Sequence, residues 1–365
     1  MSPGNAAPAS SQTYRRSQSK AIYGQISYDL SVLVSGLKLD LGVRRTRDKV
    51  SVCGDSVPGG QPRLNEEDCT RVSLTQRAAF NATTWTGGLD FQVSDDVFLY
   101  LATRRGCRAG GINSPVLGTA IASVQTYKPE TITDIEIHMN STGRVANIPY
   151  HVAIAGHRGR YKGIQRNYTL PPNFDGDNDV SNDPTAGIVL NSGAAILEGV
   201  EFDGSLHPFQ DLTLSFSGAY TKAYYTSLTV SPFLQSAGLI PANALQNKLL
   251  YVLILTYGAA AEYSPLVGEI GRLLFRVDYY CSDSFYLNER PAADTAIRVK
   301  GHDLVNACVG VLDIRRKNVD ATFFVNNLSN KAYVAGSRNF APALSVVSAI
   351  YGTPRTFGLE LRYHF

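Results

Sequence analysis

Phe357-Gly358-Leu359-Glu360-Leu361-Arg362-Tyr363-His364-Phe365 is the stretch that decides the fold. Every odd position is large and apolar, and every even one is Gly, Glu, Arg or His. Successive side chains of a strand point to opposite faces, so this segment builds one greasy face and one polar, partly charged face. In a soluble sandwich the greasy face would point into a core. The ends of soluble domains are more often frayed and polar, whereas this alternation continues to an aromatic last residue. Apolar outside, polar inside and closed by Phe is the pattern of the final strand of a transmembrane β-barrel.

The composition agrees with a wall of strands. Twenty Tyr and fifteen Phe favour strands and also suit the aromatic girdles of a membrane protein. A net charge of +3 over 365 residues is too small for a dedicated nucleic-acid binder. No apolar run approaches the ~18 residues that a transmembrane helix needs. The nearest, Leu249 to Ala261, reads better as a strand. The polar start MSPGNAAPASSQTYRRSQSK has no apolar signal core. Residues 1–18 are therefore expected to be a disordered start or truncated loop, with the barrel over 19–365. A barrel without an export signal is expected to be a piece of a longer protein.

Working back from the end, the alternation and turn residues predict about thirteen strands and no helix. They are placed at Ala21–Leu30, Leu37–Arg44, Asn81–Val93, Val97–Gly111, Glu130–Ser141 and Arg144–Arg166. The rest fall near Val200–Leu206, Leu212–Tyr220, Lys248–Tyr263, Gly271–Tyr286, Asp303–Asp313, Asp320–Ala332 and Ile350–Phe365. Turns are expected at Thr142-Gly143 and at His207-Pro208-Phe209, and Pro149 weakens the sixth strand. Short links near 31–36, 94–96, 142–144, 207–211, 264–270 and 316–319 alternate with long ones near 50–80, 112–129, 167–194, 227–247, 287–301 and 334–348. A sandwich has no reason to keep its long loops at one end. A transmembrane barrel does, with short periplasmic turns and long extracellular loops. The expected fold is thus an all-β, transmembrane antiparallel β-barrel. Phe323 and Val325 should face lipid, and Thr322 and Phe324 the lumen.

Several stretches, in order and spacing, resemble the TonB-dependent receptors of the bacterial outer membrane. They are Ser19-Lys20-Ala21-Ile22-Tyr23-Gly24-Gln25; Leu99-Tyr100 followed by Arg105-Gly106-Cys107-Arg108-Ala109-Gly110-Gly111; and Tyr127-Lys128-Pro129-Glu130-Thr131. Further on come Gly199-Val200-Glu201-Phe202, Asn326-Asn327-Leu328-Ser329-Asn330-Lys331-Ala332-Tyr333, and Pro354-Arg355-Thr356-Phe357-Gly358. Cys107, where the family usually has an aromatic residue, and Ile148-Pro149-Tyr150-His151 depart from its pattern. The resemblance implies a barrel of about 22 strands, closed by an N-terminal plug that engages TonB. Nothing here resembles the plug, so these strands are expected to be the last thirteen. It also implies outer-membrane lipid as surroundings and a small-molecule iron chelate as ligand. Phe357, Leu359, Leu361, Tyr363 and Phe365 would be the signal read by the barrel-assembly machinery.

Motifs of catalysis are missing. The six His are scattered, and no HExxH, nucleophile elbow or phosphate loop occurs. No cofactor, metal site, enzymatic activity or nucleic-acid partner is expected. Arg104, Arg105 and Arg108 are either a basic patch drawing an anionic ligand into the lumen or wall charges paired with neighbouring carboxylates. Cys53 and Cys69 share a polar loop and are candidates for a disulfide in an oxidising compartment. Asp175, Asp177, Asp179 and Asp183 faintly resemble a calcium loop but lack its closing Glu. The reading is the barrel portion of a receptor for TonB-driven uptake of a scarce nutrient, a ferric siderophore first, with this chain alone inactive. The alternatives are a passive porin and a soluble β-rich carbohydrate-binding or hydrolytic protein.

Overall fold

A computed structural model describes residues 10–57, 65–70, 75–114, 121–170, 187–228, 249–286, 298–339 and 347–365. Thirteen strands follow one another around a single antiparallel sheet in chain order. They are β1 (Ser10–Asp29), β2 (Leu37–Val57), β3 (Thr75–Ser94), β4 (Val97–Arg108), β5 (Glu130–Val145), β6 (Ile148–Lys162) and β7 (Gly193–Phe209). Then come β8 (Leu212–Leu228), β9 (Leu255–Tyr263), β10 (Gly271–Ser282), β11 (His302–Leu312), β12 (Val319–Asn326) and β13 (Thr356–Tyr363). Short hairpins extend the long-link end, among them 334–339 with 347–351 and 165–169 with 187–191. No helix among the described residues is long and apolar enough to cross a membrane, which says nothing of crossing by strands.

The register sorts the sequence into two faces. Leu89 lies opposite Leu39 and Leu101, Leu101 opposite Ile137, and Val200 opposite Tyr220. Tyr263 meets Phe275, Phe275 meets Val309, Val309 meets Phe323, and Phe323 meets Leu359. The other parity carries Asp40, Tyr100, Glu136, His157, Glu201, Ser217, Glu262, Asp278, Asn306, Thr322 and Glu360 in the same ladders. The apolar face is uncovered. Ile137, midway along the sheet, is 63% exposed, and Phe357 and Leu359 are 74% and 67% exposed. Such a face would be buried in a sandwich; left bare, it suits hydrocarbon. The small buried clusters sit instead near the long-link end, one around Ile164, Ala195, Tyr225 and Leu249 and one around Val50, Val52 and Ile112.

Strand ends differ from the sequence reading, and for physical reasons. β1 begins at Ser10, so residues 10–18, expected in a disordered or truncated start, are a paired strand against residues 49–57 of β2. β2 runs to Val57 where Arg44 was expected to end it, and β3 starts at Thr75. The β1 extension is polar on both faces, and in the β2 and β3 extensions the apolar residues Val50, Val52 and Phe80 pack around Ile112 in a local cluster, so the long period-2 alternation fades while the backbone ladder continues. The β5–β6 turn lies at Ala146-Asn147, both at positive φ (50° and 69°), not at Thr142-Gly143. Positive φ at both central residues matches the strand twist of a two-residue hairpin. Gly143 stays in the strand, where a Cβ would lie 3.1 Å from the Tyr150 ring that covers it. Pro149 is tolerated because it lies at the turn, beyond Tyr150, the last β6 residue before the turn that pairs with β7.

β7 likewise continues past His207 to Phe209, with a register shift between Leu206 and Phe209. Residues 249–254 are not strand: Tyr251 takes a φ of 56° and donates its N–H to the Tyr286 carbonyl. β10 ends at Ser282, β12 ends at Asn326, and β13 starts at Thr356. Phe324 is an aromatic on the polar face. Its ring lies over Gly358, where a Cβ would come within 2.7 Å of it, so it covers backbone that glycine leaves bare.

That register yields a direct test. Phe323 shares the exposed face with Phe357, at a ring-centroid distance of 6.4 Å, while Thr322 lies opposite Glu360. Arg at a lipid-facing midplane position costs about 2–4 kcal/mol. Phe323→Arg should therefore lower membrane assembly far more than Thr322→Arg, scored by heat-modifiable migration in membrane fractions. Equal yields would reject the register.

Candidate functional site

The polar face forms a trough of ≈ 510 Å³ lined by Tyr100, Glu136, His138, His157, Glu201 and Asp203, together with small residues of β6, β8 and β9. Strand alternation puts them there: each stands at the polar parity of β4, β5, β6 or β7. Tyr100 and His138 are opposite each other and stack with centroids 4.8 Å apart and planes 7° apart. The Tyr100 hydroxyl donates to Glu136. Arg104 donates to Glu136 as well and sits 3.3 Å from Asp134. A second cross-wall group joins Arg276 to Glu262 at 3.0 Å and to Asp278 at 2.6 Å. Each of these cations is flanked by two carboxylates, so the wall is mixed in charge and carries a net negative charge at both groups. Such a surface can bind and pass a polar solute. Among the described residues, no group of three or more His, Cys, Asp and Glu could hold a metal ion.

Arg104, Arg105 and Arg108 do not converge. Adjacent residues of a strand point to opposite faces, so Arg104 joins the trough wall while Arg105 shares the outer parity with Trp85 and Thr133. Arg108 lies at the strand end, 3.5 Å from Glu130. A single basic patch from the three is ruled out by that geometry. The acidic loop around Asp175–Asp183 lies outside the described residues.

What joins the strand ends is a set of buried polar hubs in the stretches singled out from the sequence. Glu130, 3% exposed, accepts from the Tyr161 hydroxyl at 2.7 Å and the Gln165 N–H at 2.5 Å. Gln165 in turn donates to the Ala109 and Lys128 carbonyls, so three strand ends share one carboxylate. Asn327, 4% exposed and at φ 51°, donates to the carbonyls of Lys331 and Thr353 and accepts from the Lys331 N–H. Positive φ is an asparagine speciality among residues with a Cβ. His302 stacks on Tyr333 at 4.3 Å beside it.

Cys53, on the extended end of β2 and not in a loop, is bonded to Cys69 across a Cα separation of 5.6 Å. Phe357, Leu359, Leu361 and Tyr363 share one exposed face of β13, and the exposed Phe365 ring meets Tyr363 at 5.1 Å. The trough residues Tyr100, His138, His157, Glu201 and Asp203 were missed in the sequence. Each is ordinary alone, and the available signal was their common parity once the strands are registered.

The family model described as TonB dependent receptor-like, beta-barrel matches residues 1–328. No curated protein matches the sequence. Among solved structures the chain is similar to the ferric yersiniabactin uptake receptor FyuA from Yersinia pestis, at 15% identity and TM-score 0.71, covering 98% of this chain and 47% of that one. It is similar to the ferric citrate transporter FecA at 14% identity and TM-score 0.67, covering 99% and 47%. It also matches the copper transporter OprC at 13% identity and TM-score 0.64, covering 96% and 49%. The chain thus spans about half the length of these structures.

The hubs predict unequal effects. Removing a buried acceptor leaves its donors unpaired at about 1–3 kcal/mol. Glu130→Ala should lower the temperature of the heat-modifiable transition, and Arg108→Ala, an exposed partner, should barely move it. An unchanged transition in Glu130→Ala would strip the carboxylate of that role. The Cys53–Cys69 bond, closing a loop with a sequence separation of 16, contributes roughly 3 kcal/mol on the loop-entropy account. Both thiols should resist alkylation in surface-displayed material until reduced, and free thiols there would exclude the bond.

Proposed function

The chain belongs to the TonB-dependent receptor β-barrel family, and we propose that it forms part of the wall of an outer-membrane receptor that takes up a scarce nutrient, with a ferric siderophore as the cargo. One observation carries this reading. Thirteen strands in chain order hold a bare apolar face outside and a trough with acidic and aromatic side chains inside, with every long link at one end. That is the architecture of a membrane wall around a solute path. The family is one of transport receptors rather than enzymes, and the mechanism is binding and gated passage without covalent chemistry.

Each wall element has its task. Long links at the outer end capture the cargo. The trough, with Tyr100, His138 and His157 among its polar groups, offers weak hydrogen-bonding sites along the path, as conduction and release require. Energy enters from TonB through a plug, which belongs to the remainder of the receptor length beyond this half. The two sheet edges, β1 and β13, are met by strands of that same remainder. Ferric chelates are favoured as cargo because FyuA and FecA carry ferric names; the name of OprC keeps copper as the second candidate. On the outer face, Phe357, Leu359, Leu361, Tyr363 and Phe365 present the row that the barrel-assembly machinery reads.

Deleting the coding region of residues 10–365 in the source bacterium should abolish growth on one ferric chelate as the iron supply. Removing TonB should abolish it equally. Uptake that persists without TonB would favour a passive porin, and uptake indifferent to the deletion would end the proposal. Deleting Phe365 alone should lower the amount of receptor in the outer membrane, measured by surface labelling; unchanged surface levels would dismiss the assembly signal.

A further inference from the structure

Two carboxylates of the trough stand apart from the rest. Glu201 and Asp203 lie two residues apart on β7, at the polar parity, and both are exposed. Across the ladders Glu201 meets Ala155 of β6 and Ala219 of β8, and Asp203 meets Ala153 and Ser217. None of these four neighbours offers a counter-charge. Among the described residues, no ion pair engages Glu201, and Asp203 has the His151 imidazole alone, at 3.9 Å. No Lys or Arg is among the described residues that line the trough.

The other lumenal carboxylates around them are treated differently. Glu130 has Arg108, Asp134 and Glu136 share Arg104, Glu262 and Asp278 share Arg276, and Glu360 has Arg362. The lack of a cation is thus local to β7. Shape adds a second feature. The small Ala and Ser neighbours make a low floor on both sides, so the two carboxylates stand free of it within a cavity of ≈ 510 Å³. Rings bound that space, with Tyr100 stacked on His138 on one side and Tyr280 on the other.

We propose that Glu201 and Asp203 set the charge of the cargo: the complex that passes along this trough carries a protonated amine, which the two carboxylates hold in transit. The proposal rests on the reading of the chain as part of a receptor for a metal chelate, and it narrows that cargo to the cationic class. Two neighbouring like charges repel unless a cation joins them. Where the wall supplies none, the solute does, as acidic rings select cations in channels. Aromatic faces at the margins favour the same sign. A complex of net negative charge meets repulsion at the same place and is turned away.

The test uses the whole receptor in its source bacterium. Radioiron complexes from iron-starved culture fluid are sorted by ion exchange at neutral pH into a cationic and an anionic pool. Receptor-dependent uptake should reside in the cationic pool, and acetylating the primary amines of that pool should lower uptake about tenfold. Glu201→Gln combined with Asp203→Asn should take up the native and acetylated pools equally. The same loss of charge away from the trough, Asp29→Asn combined with Glu360→Gln, should keep the difference. Receptor-dependent uptake from the anionic pool overturns the proposal, as does a Glu201 and Asp203 double variant that still distinguishes the native from the acetylated pool. If that variant fails to reach the outer membrane, Glu201→Gln takes its place, and an undiminished preference there is decisive against it. Lost heat-modifiable stability with the preference intact would assign the two carboxylates to holding the receptor together, and also overturns it. Receptor-dependent uptake from neither pool would instead count against the ferric-chelate reading, and this proposal with it.

Discussion

Everything in this molecule follows from the pairing of backbone groups. In hydrocarbon an unpaired N–H or C=O costs several kcal/mol, because no water stands by to replace the partner. A chain that crosses as strands must therefore pair each strand on both sides. Thirteen strands do so here in unbroken order, except that β1 and β13 stand at the two ends of that order. An odd number of alternating strands makes those two run in the same direction. Closing the sheet on itself would demand a parallel seam in an otherwise antiparallel wall. Edges met by further antiparallel strands need no such seam, which is why a partial wall and a larger barrel are physically consistent.

Pairing then fixes the chemistry of the faces, since a register shift of one residue exchanges them. The consequence is visible in how charge is treated. Inside, cations are offset within the wall: Arg104 between Asp134 and Glu136, Arg276 between Glu262 and Asp278. Outside, in the hydrocarbon rows, charge is absent and rings such as Phe323 and Phe357 take its place. Phe324 shows that the division is not absolute, because an inward ring can shield the bare backbone of Gly358.

Strand number, order and the alternation of link lengths were legible in the sequence because lipid imposes period 2 wherever a strand crosses it. Strand length was not. Residues 10–19 of β1 and 45–49 of β2 stand in a paired ladder with no apolar parity to announce them, and Val50 and Val52 beyond them pack in a local cluster around Ile112. The Ala146-Asn147 turn was hidden behind a Thr-Gly pair that looks more like a turn but is held flat under Tyr150. The arginines illustrate a third limit. Arg104, Arg105 and Arg108 are close in sequence, yet parity sends Arg105 to the other side of the wall. Proximity along a strand is a poor guide to a site, and common parity across strands is a good one: Tyr100, His138, His157 and Glu201 gather only once register is known.

The stretches that resemble the family do not line the trough as a set. Glu130 and Asn327, with their neighbours, sit where the ladder ends and the long links begin. There the regular N–H to C=O pairing stops, while the backbone still lies too deep among packed loops to be satisfied by water alone. A buried carboxylate or amide with several acceptor or donor positions can satisfy many of these orphaned groups at once. Such a hub needs a particular residue at a particular place, whereas a wall position needs only the right polarity. The stretches that resemble the family should therefore mark fasteners of the rim.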